Sequence, residues 1–281
     1  MDKIIQTSTI KQDLKSADKP QEESVGFFKS YLESFFTEVT LISRFAIRFF
    51  KQVFLPPYEF SEVIRQSFII GYKSLGLIAI TGFIMGLVLT IQTIPTMAEF
   101  GAQSWVPSMV AVSVIREIGP AITALICAGK IGSGIGAELA SMKVTEQIDA
   151  MEVSAINPFK YIVVTRVLAT TIMVPLLVIF SDAVSLLGSY AGVNIKGDTS
   201  FLLFFNQVFG VLTFSDLIPA FIKTFFFGFA IGLIPCYKGY NSNNGTQGVG
   251  EAANSSVVMA SLLIFVIDML AVQITDLFVN S

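Results

Sequence analysis

Five stretches of the chain are apolar for long enough to cross a bilayer: residues 69–94, 108–131, 166–192, 217–237 and 256–278. About 20 residues of helix traverse the hydrocarbon layer. Lipid offers no partner to an open backbone, so each stretch is predicted to be a helix. The run Phe201 to Leu212 is apolar too, but it is too short to cross, and Asn206-Gln207 interrupts it. It predicts a helix lying on, or dipping into, one face. Ahead of the first span, Glu33, Thr37, Thr40, Arg44, Arg48 and Lys51 recur at spacings of three and four, while Phe35, Val39, Ile42, Phe45, Phe49 and Val53 cover much of the remainder. One polar stripe with a basic end, on a Phe-rich helix, suits the plane of anionic headgroups. Pro56-Pro57 ends it. Residues 1–26 are polar and lack the apolar core of a signal peptide, so they read as a disordered cytoplasmic tail. The expected organisation is therefore a tail (1–26), an interfacial helix (27–57) and a membrane domain (58–281), all-α throughout.

Composition strengthens this picture. Hydrophobic residues make up 53% and charged residues 14% of the chain, against about 25% charged in soluble domains. Net charge of −3 decides little; the placement of Lys and Arg decides orientation. Segments 131–165 and 238–255 fall on the side of the N-terminus and carry Lys143, Lys160 and Lys238, with Lys130 and Arg166 at the edge. The opposite loops, 95–107 and 193–216, offer only Lys196. The expectation is N-terminus in, C-terminus out.

Histidine is absent, which removes histidine-based catalysis, metal sites and proton relays. Cys127 and Cys236 lie far apart in apolar runs, without metal or disulfide spacing. No enzyme and no cofactor is expected. A P-loop is missing as well: Gly129-Lys130 is followed by Ile131, and Tyr72-Lys73-Ser74 lacks the preceding glycine. Gly132-x-Gly134-x-x-Ala137 follows a membrane helix and not a strand, so it is no dinucleotide fingerprint. Gly129, Gly132 and Gly136, with Ser133 and Ala137, instead predict close helix packing. The Gly- and Asn-rich stretch Gly239 to Gly250 reads as a mobile hairpin.

Charges inside the spans are the next signal, since each costs roughly 2.5–3.5 kcal/mol at a helix centre. Arg116 and Glu117 lie in the second span, Asp182 in the third, Lys223 in the fourth and Asp268 in the fifth. Opposite charges satisfy one another in low dielectric, so Glu117, Lys223 and Asp268, with Arg116 beside them, are expected to form a network. It serves either helix register or substrate passage and switching. Between the second and third spans, Glu138 to Val153 predicts a short amphipathic helix with an acidic stripe (Glu146, Asp149, Glu152) and an apolar one (Val144, Ile148, Met151). An acidic face is repelled by anionic lipid, so docking in the groove of a soluble partner is the better reading. Asn157-Pro158 supplies a cap and first position for the next helix.

These residues are similar to a known pattern. Arg116-Glu117-Ile118-Gly119-Pro120, Ala128-Gly129-Lys130, Gly132-Ser133, Ala137-Glu138, Thr145-Glu146-Gln147 and Asp149-Ala150 resemble the MlaE family of ABC-transporter permeases. Thr165-Arg166 stands where many members have Pro-Arg. A second block, Cys236 to Asp268, resembles the family's cytoplasmic loop and last span, and the likeness covers about residues 60–278. The resemblance implies a five-span homodimeric permease in the inner membrane of a diderm bacterium. It also implies a cytoplasmic ABC ATPase, a periplasmic MCE-domain protein and often a STAS-domain protein as partners, with phospholipid as substrate, outer-membrane asymmetry as the purpose and no nucleic acid involved. The ATPase-coupling helix would carry Glu138, Lys143, Thr145, Glu146, Gln147, Asp149 and Glu152. Spans one and two, facing the two-fold axis, would line the lipid path. The rival class is an ion-coupled carrier titrating Glu117 and Asp268. Such carriers commonly show repeated halves, and five spans do not divide into two.

Overall fold

A computed structural model describes residues 33, 36–197, 199–242 and 245–279. The chain divides into two units, Met1–Lys51 and Gln52–Ser281. Helix α1 runs over residues 36–53, with Thr37, Thr40, Arg44, Arg48 and Lys51 exposed along it and Phe45 and Phe49 buried. The expected tail, 1–26, and the start of the expected interfacial helix lie outside the described residues.

Among the described residues of the second unit, all regular secondary structure is helical. Five helices are long and apolar enough to span: α2 (Phe60–Glu99), α3 (Gln103–Val144), α5 (Phe159–Ile195), α7 (Phe214–Tyr240) and α8 (Gly245–Leu277). Two short helices join them, α4 (Gln147–Val153) and α6 (Phe201–Val211). The molecule is an all-α, multi-pass integral membrane protein. Its helices overrun their apolar cores. At 40 and 42 residues, α2 and α3 are each about 60 Å long, twice the hydrocarbon thickness. Their polar ends stay helical because ion pairs occupy them: Glu62 with Arg65 at 2.7 Å, and Glu138 with Arg166 at 2.8 Å.

The α2–α5 seam is close. A Cβ on Gly86 would fall 1.8 Å from the Ser185 carbonyl oxygen, and one on Gly188 would fall 2.1 Å from that of Phe83. Ser185 Oγ donates to the Gly82 carbonyl at 2.8 Å, and Thr90 Oγ1 to Ser189 Oγ at 2.7 Å. Small residues four apart on both helices allow this approach, with hydroxyls bonding across it. The glycines singled out from the sequence serve a different contact. Gly136 meets Ser256 and Ala252 of α8, and Gly132 meets Pro235 of α7, whereas Gly129 faces open space.

Helix α6 packs Phe204 and Val208 against Ala111, Ile115 and Leu186 of α3 and α5, in keeping with a segment too short to cross. The Gly239 to Gly250 hairpin is shorter than its composition suggested. Helix α7 continues to Tyr240, and Gly245 already opens α8. Among the described residues three turns are π-helical: Val114–Ile118 and Ala128–Gly132 in α3, and Phe159–Val164 at the start of α5. Such turns admit one extra residue and re-aim the side chains around them. Arg116, Glu117, Lys130 and Lys160 all stand in them.

Replacing Gly86 with Ala is expected to lower thermal stability in detergent by about 1–3 kcal/mol through overpacking. Gly76→Ala, where an added Cβ meets nothing within 4 Å, should be neutral or slightly stabilising. Equal melting temperatures for the two variants would contradict the close seam.

Candidate functional site

Lys223 lies on the buried face of α7, its side chain only 4% exposed. Its ammonium donates to Glu117 Oε2 at 2.6 Å and to Asp268 Oδ1 at 2.9 Å. One lysine thus joins α3, α7 and α8, and the three residues expected to meet do so. Arg116 does not enter this triad. Its Nη1 lies 3.3 Å from Asp216 Oδ1, at the first turn of α7. Asp216 also accepts from Thr213 Oγ1 at 2.6 Å and forms a capping box with it. The Thr213-x-x-Asp216 spacing ahead of an apolar run is a readable capping signal. It marks a helix start, however, and says nothing of Arg116. With every group ionised, two cations face three carboxylates, so the cluster has no surplus positive charge.

Beside the cluster lies a groove of about 690 Å³ between α7 and α8. Ile218, Ile222, Phe226, Ile267, Leu270 and Ile274 line it, and Lys223 stands at its edge. An apolar trough with charge at one edge has the chemistry of a site for an amphiphile. This trough lies on the fourth and fifth spans.

Asp182 stays apart from both. Its Oδ1 is buried without a hydrogen-bond partner. A Cβ at position 119 would lie 2.0 Å from that oxygen, so the carboxyl group fits only because α3 carries glycine there. The adjacent hydroxyls are already paired with each other, Thr123 Oγ1 donating to Ser181 Oγ at 2.8 Å.

At the other end of the bundle, the expected single helix Glu138 to Val153 is divided. Residues up to Val144 belong to α3, and only Gln147–Val153 forms the separate α4. The break falls at Thr145-Glu146, where Glu146 adopts φ 57°, and Ala155 leaves the segment at φ 60°. Left-handed backbone at residues with a Cβ costs about 1–2 kcal/mol each; neither glycine nor proline stands at the break to announce it. Glu138 pairs with buried Arg166, Lys143 with Asp149 at 2.8 Å, and Thr145 Oγ1 donates to the Ser141 carbonyl. Ile148 is buried while Glu146, Asp149 and Glu152 are exposed, as is Val153 at 89%. Gln147 and Met151 line a polar cavity of about 440 Å³ whose wall includes Arg65, Glu138 and Arg166. Glu62, Arg65 and the Arg166 pairing were not anticipated, because they lie at helix ends beyond the apolar cores.

The stretch after α4 is tied to the chain ahead of α2. Asn157 Oδ1 accepts from the Lys160 amide at 3.2 Å, the expected capping contact. Lys160 Nζ donates to the Leu55 carbonyl and stands 5.5 Å over the Tyr58 ring, and Asn157 Nδ2 donates to Gln52 Oε1 at 3.2 Å. Among the described residues, no cluster of side chains could hold a metal ion.

The family model described as "Permease MlaE" matches residues 63–274. A probable ABC transporter permease protein of Rickettsia prowazekii is 38% identical over 244 residues, covering 87% of this chain and 93% of that protein. A probable ABC transporter permease protein of the alga Pyropia yezoensis is 34% identical, over 74% of this chain and 79% of its own. The intermembrane phospholipid transport system permease protein MlaE of Haemophilus influenzae is 33% identical, over 77% of this chain and 83% of its own. The chain belongs to the MlaE permease family, and it is a transporter permease.

Removing Lys223 alone leaves Glu117 and Asp268 facing each other. Lys223→Met should cost about 1–3 kcal/mol, less than for a fully buried pair because Glu117 and Asp268 stay partly exposed, and adding Asp268→Asn should recover part of it. Simple additivity in this double-mutant cycle, read by thermal denaturation, would contradict the contact.

Proposed function

We propose that this chain is the lipid-translocating subunit of an ABC transporter that moves phospholipid between the inner and outer membranes of a diderm bacterium. In this reading it works as a homodimer, with its N-terminus in the cytoplasm and α1 lying in the interface. A separate ATPase docks on α4, and an MCE-domain protein, in some systems with a STAS-domain protein, completes the path. The permease itself catalyses no reaction.

The observation that carries the reading is the pairing of an apolar trough with a charged edge, on the membrane side, and an exposed, bracketed helix outside it. Acyl chains gain by leaving water for a surface such as Ile222, Phe226 and Ile274, while a polar head requires hydrogen-bonding groups at one end. Helix α8 buries little of itself within one chain, which leaves apolar surface for a second copy. The two-fold axis would then enclose a cavity wider than five helices provide. At the far end, exposed Glu146, Glu152 and Val153 offer acidic and apolar contacts to a basic groove. Ile148 anchors α4 to the bundle, and the contacts at Gln52, Leu55 and Tyr58 join its exit to the lead-in of α2. A push on α4 is therefore passed to the spans as a rigid-body displacement. The relative named for intermembrane phospholipid transport supports the substrate class.

Because Asp149 is already paired with Lys143, the cleaner charge reversals are at Glu146 and Glu152. The double variant Glu146→Lys, Glu152→Lys should reduce ATP-driven lipid transfer in the reconstituted complex by at least about tenfold, with thermal stability of the permease unchanged. Normal transfer in that variant would overturn the coupling assignment. Transfer sustained by a proton gradient without any ATPase would favour an ion-coupled carrier using Glu117 and Asp268.

A further inference from the structure

We propose that Lys73 and Lys130 form a dibasic site for the phosphate of an anionic lipid headgroup, where the Lys130 side chain of α3 reaches the backbone of α2. The proposal rests on the reading of the chain as a lipid permease and names the headgroup class it would favour.

Helix length sets the level of the site. At 1.5 Å per residue Lys73 stands about 39 Å from Glu99, and Lys130 stands about 40 Å from Gln103. With one headgroup layer at those two ends and about 30 Å of hydrocarbon between, both lysines fall in the opposite headgroup layer. Exposed Phe68 and Tyr72, stacked at 5.5 Å and 6°, mark the same level, as aromatic side chains do at membrane interfaces. Leu75, Leu77 and Ile80, all exposed, continue from it towards the hydrocarbon.

The two lysines are neighbours. The Lys130 ammonium donates to the Lys73 backbone carbonyl, so it is turned inward across the helix pair and does not stretch away along α3 towards water. Both residues are exposed. An added Cβ at Gly76, one turn from Lys73, or at Gly129, beside Lys130, would meet nothing within 4 Å. The surface between them is open.

Charge bookkeeping then points to the ligand. Arg65, Arg166, Arg116 and Lys223 each have a carboxylate: Glu62, Glu138, Asp216, and Glu117 with Asp268. Among the described residues, Lys73 and Lys130 have none. The nearest acids along their own helices, Glu62 and Glu138, lie two turns or more away, each already held by an arginine. Two lysines without a carboxylate, at adjoining positions of a membrane surface, favour an anion that can reach both. A lipid phosphodiester brings that anion together with its own acyl chains. A zwitterionic head also brings an ammonium group, which the pair would repel. The ionic cluster around Lys223, with more carboxylates than cations, supplies no such preference.

The test is native mass spectrometry of the detergent-purified full chain, offered phosphatidylglycerol and phosphatidylethanolamine of identical acyl chains. Wild type should retain phosphatidylglycerol over phosphatidylethanolamine by about tenfold or more, given two lysines near the surface. Lys73→Gln with Lys130→Gln should bring the ratio close to one, and Lys73→Arg with Lys130→Arg should keep it. An unbiased wild type, or an unchanged ratio in the glutamine variant, overturns the site. Loss of the preference on adding millimolar inorganic phosphate overturns the lipid assignment in favour of a free phosphate site. The measurement uses no nucleotide and no partner. Its failure therefore leaves ATP-driven transport standing, and failure of ATP-driven transport leaves the lipid ratio readable.

Discussion

One buried ammonium group organises the membrane half of this molecule. Lys223 is held at 2.6 Å by Glu117 and at 2.9 Å by Asp268, so three helices converge on a single cation. Lys223, only 4% exposed, is not tolerable in a low-dielectric interior without the two carboxylates. Removing the cation would leave two carboxylates in each other's field, and removing the carboxylates would leave a lysine with no counter-charge. The register of α3, α7 and α8 follows from that need. The π-helical turn at Val114–Ile118 belongs to the same arrangement, since it holds Arg116 and Glu117 in successive positions aimed at different partners.

The opposite seam obeys another rule. Between α2 and α5, backbone meets backbone at Gly86 and Gly188, and the hydrogen bonds across it come from serine and threonine hydroxyls. Close van der Waals contact of this kind has steep walls and leaves little room for sliding. The ionic seam is different: Glu117 and Asp268 keep part of their surface exposed, and an apolar trough opens beside them. On the proposed reading the bundle therefore has a fixed side and a side where the lipid enters, with α4 attached through Ile148 and the 52–58 contacts to move one against the other.

Some of this was legible beforehand because the bilayer admits few solutions. Apolar runs of sufficient length had to be helices, and the Lys223 triad could be named because so few charges lie within those runs. The ends of the helices were not legible in the same way. Charged residues such as Glu62, Arg65, Glu138 and Arg166 look like loop composition until they are seen to neutralise one another across helix termini. Asp216 escaped for a related reason: its local role as a cap hides its distant pairing with Arg116. The division of the segment after α3 was invisible, since Glu146 takes a left-handed conformation with no glycine to signal it.

The sequence by itself determined the class of fold, the number of crossings and the residues that must pair within the membrane. These follow from hydrophobicity and the cost of isolated charge, both of which are properties of local segments. Only the tertiary structure decided where helices stop, which glycines let backbones touch, which carboxylate Arg116 finds and where the apolar trough lies. Each of those depends on what a second helix presents at the contact, and no single segment carries that information.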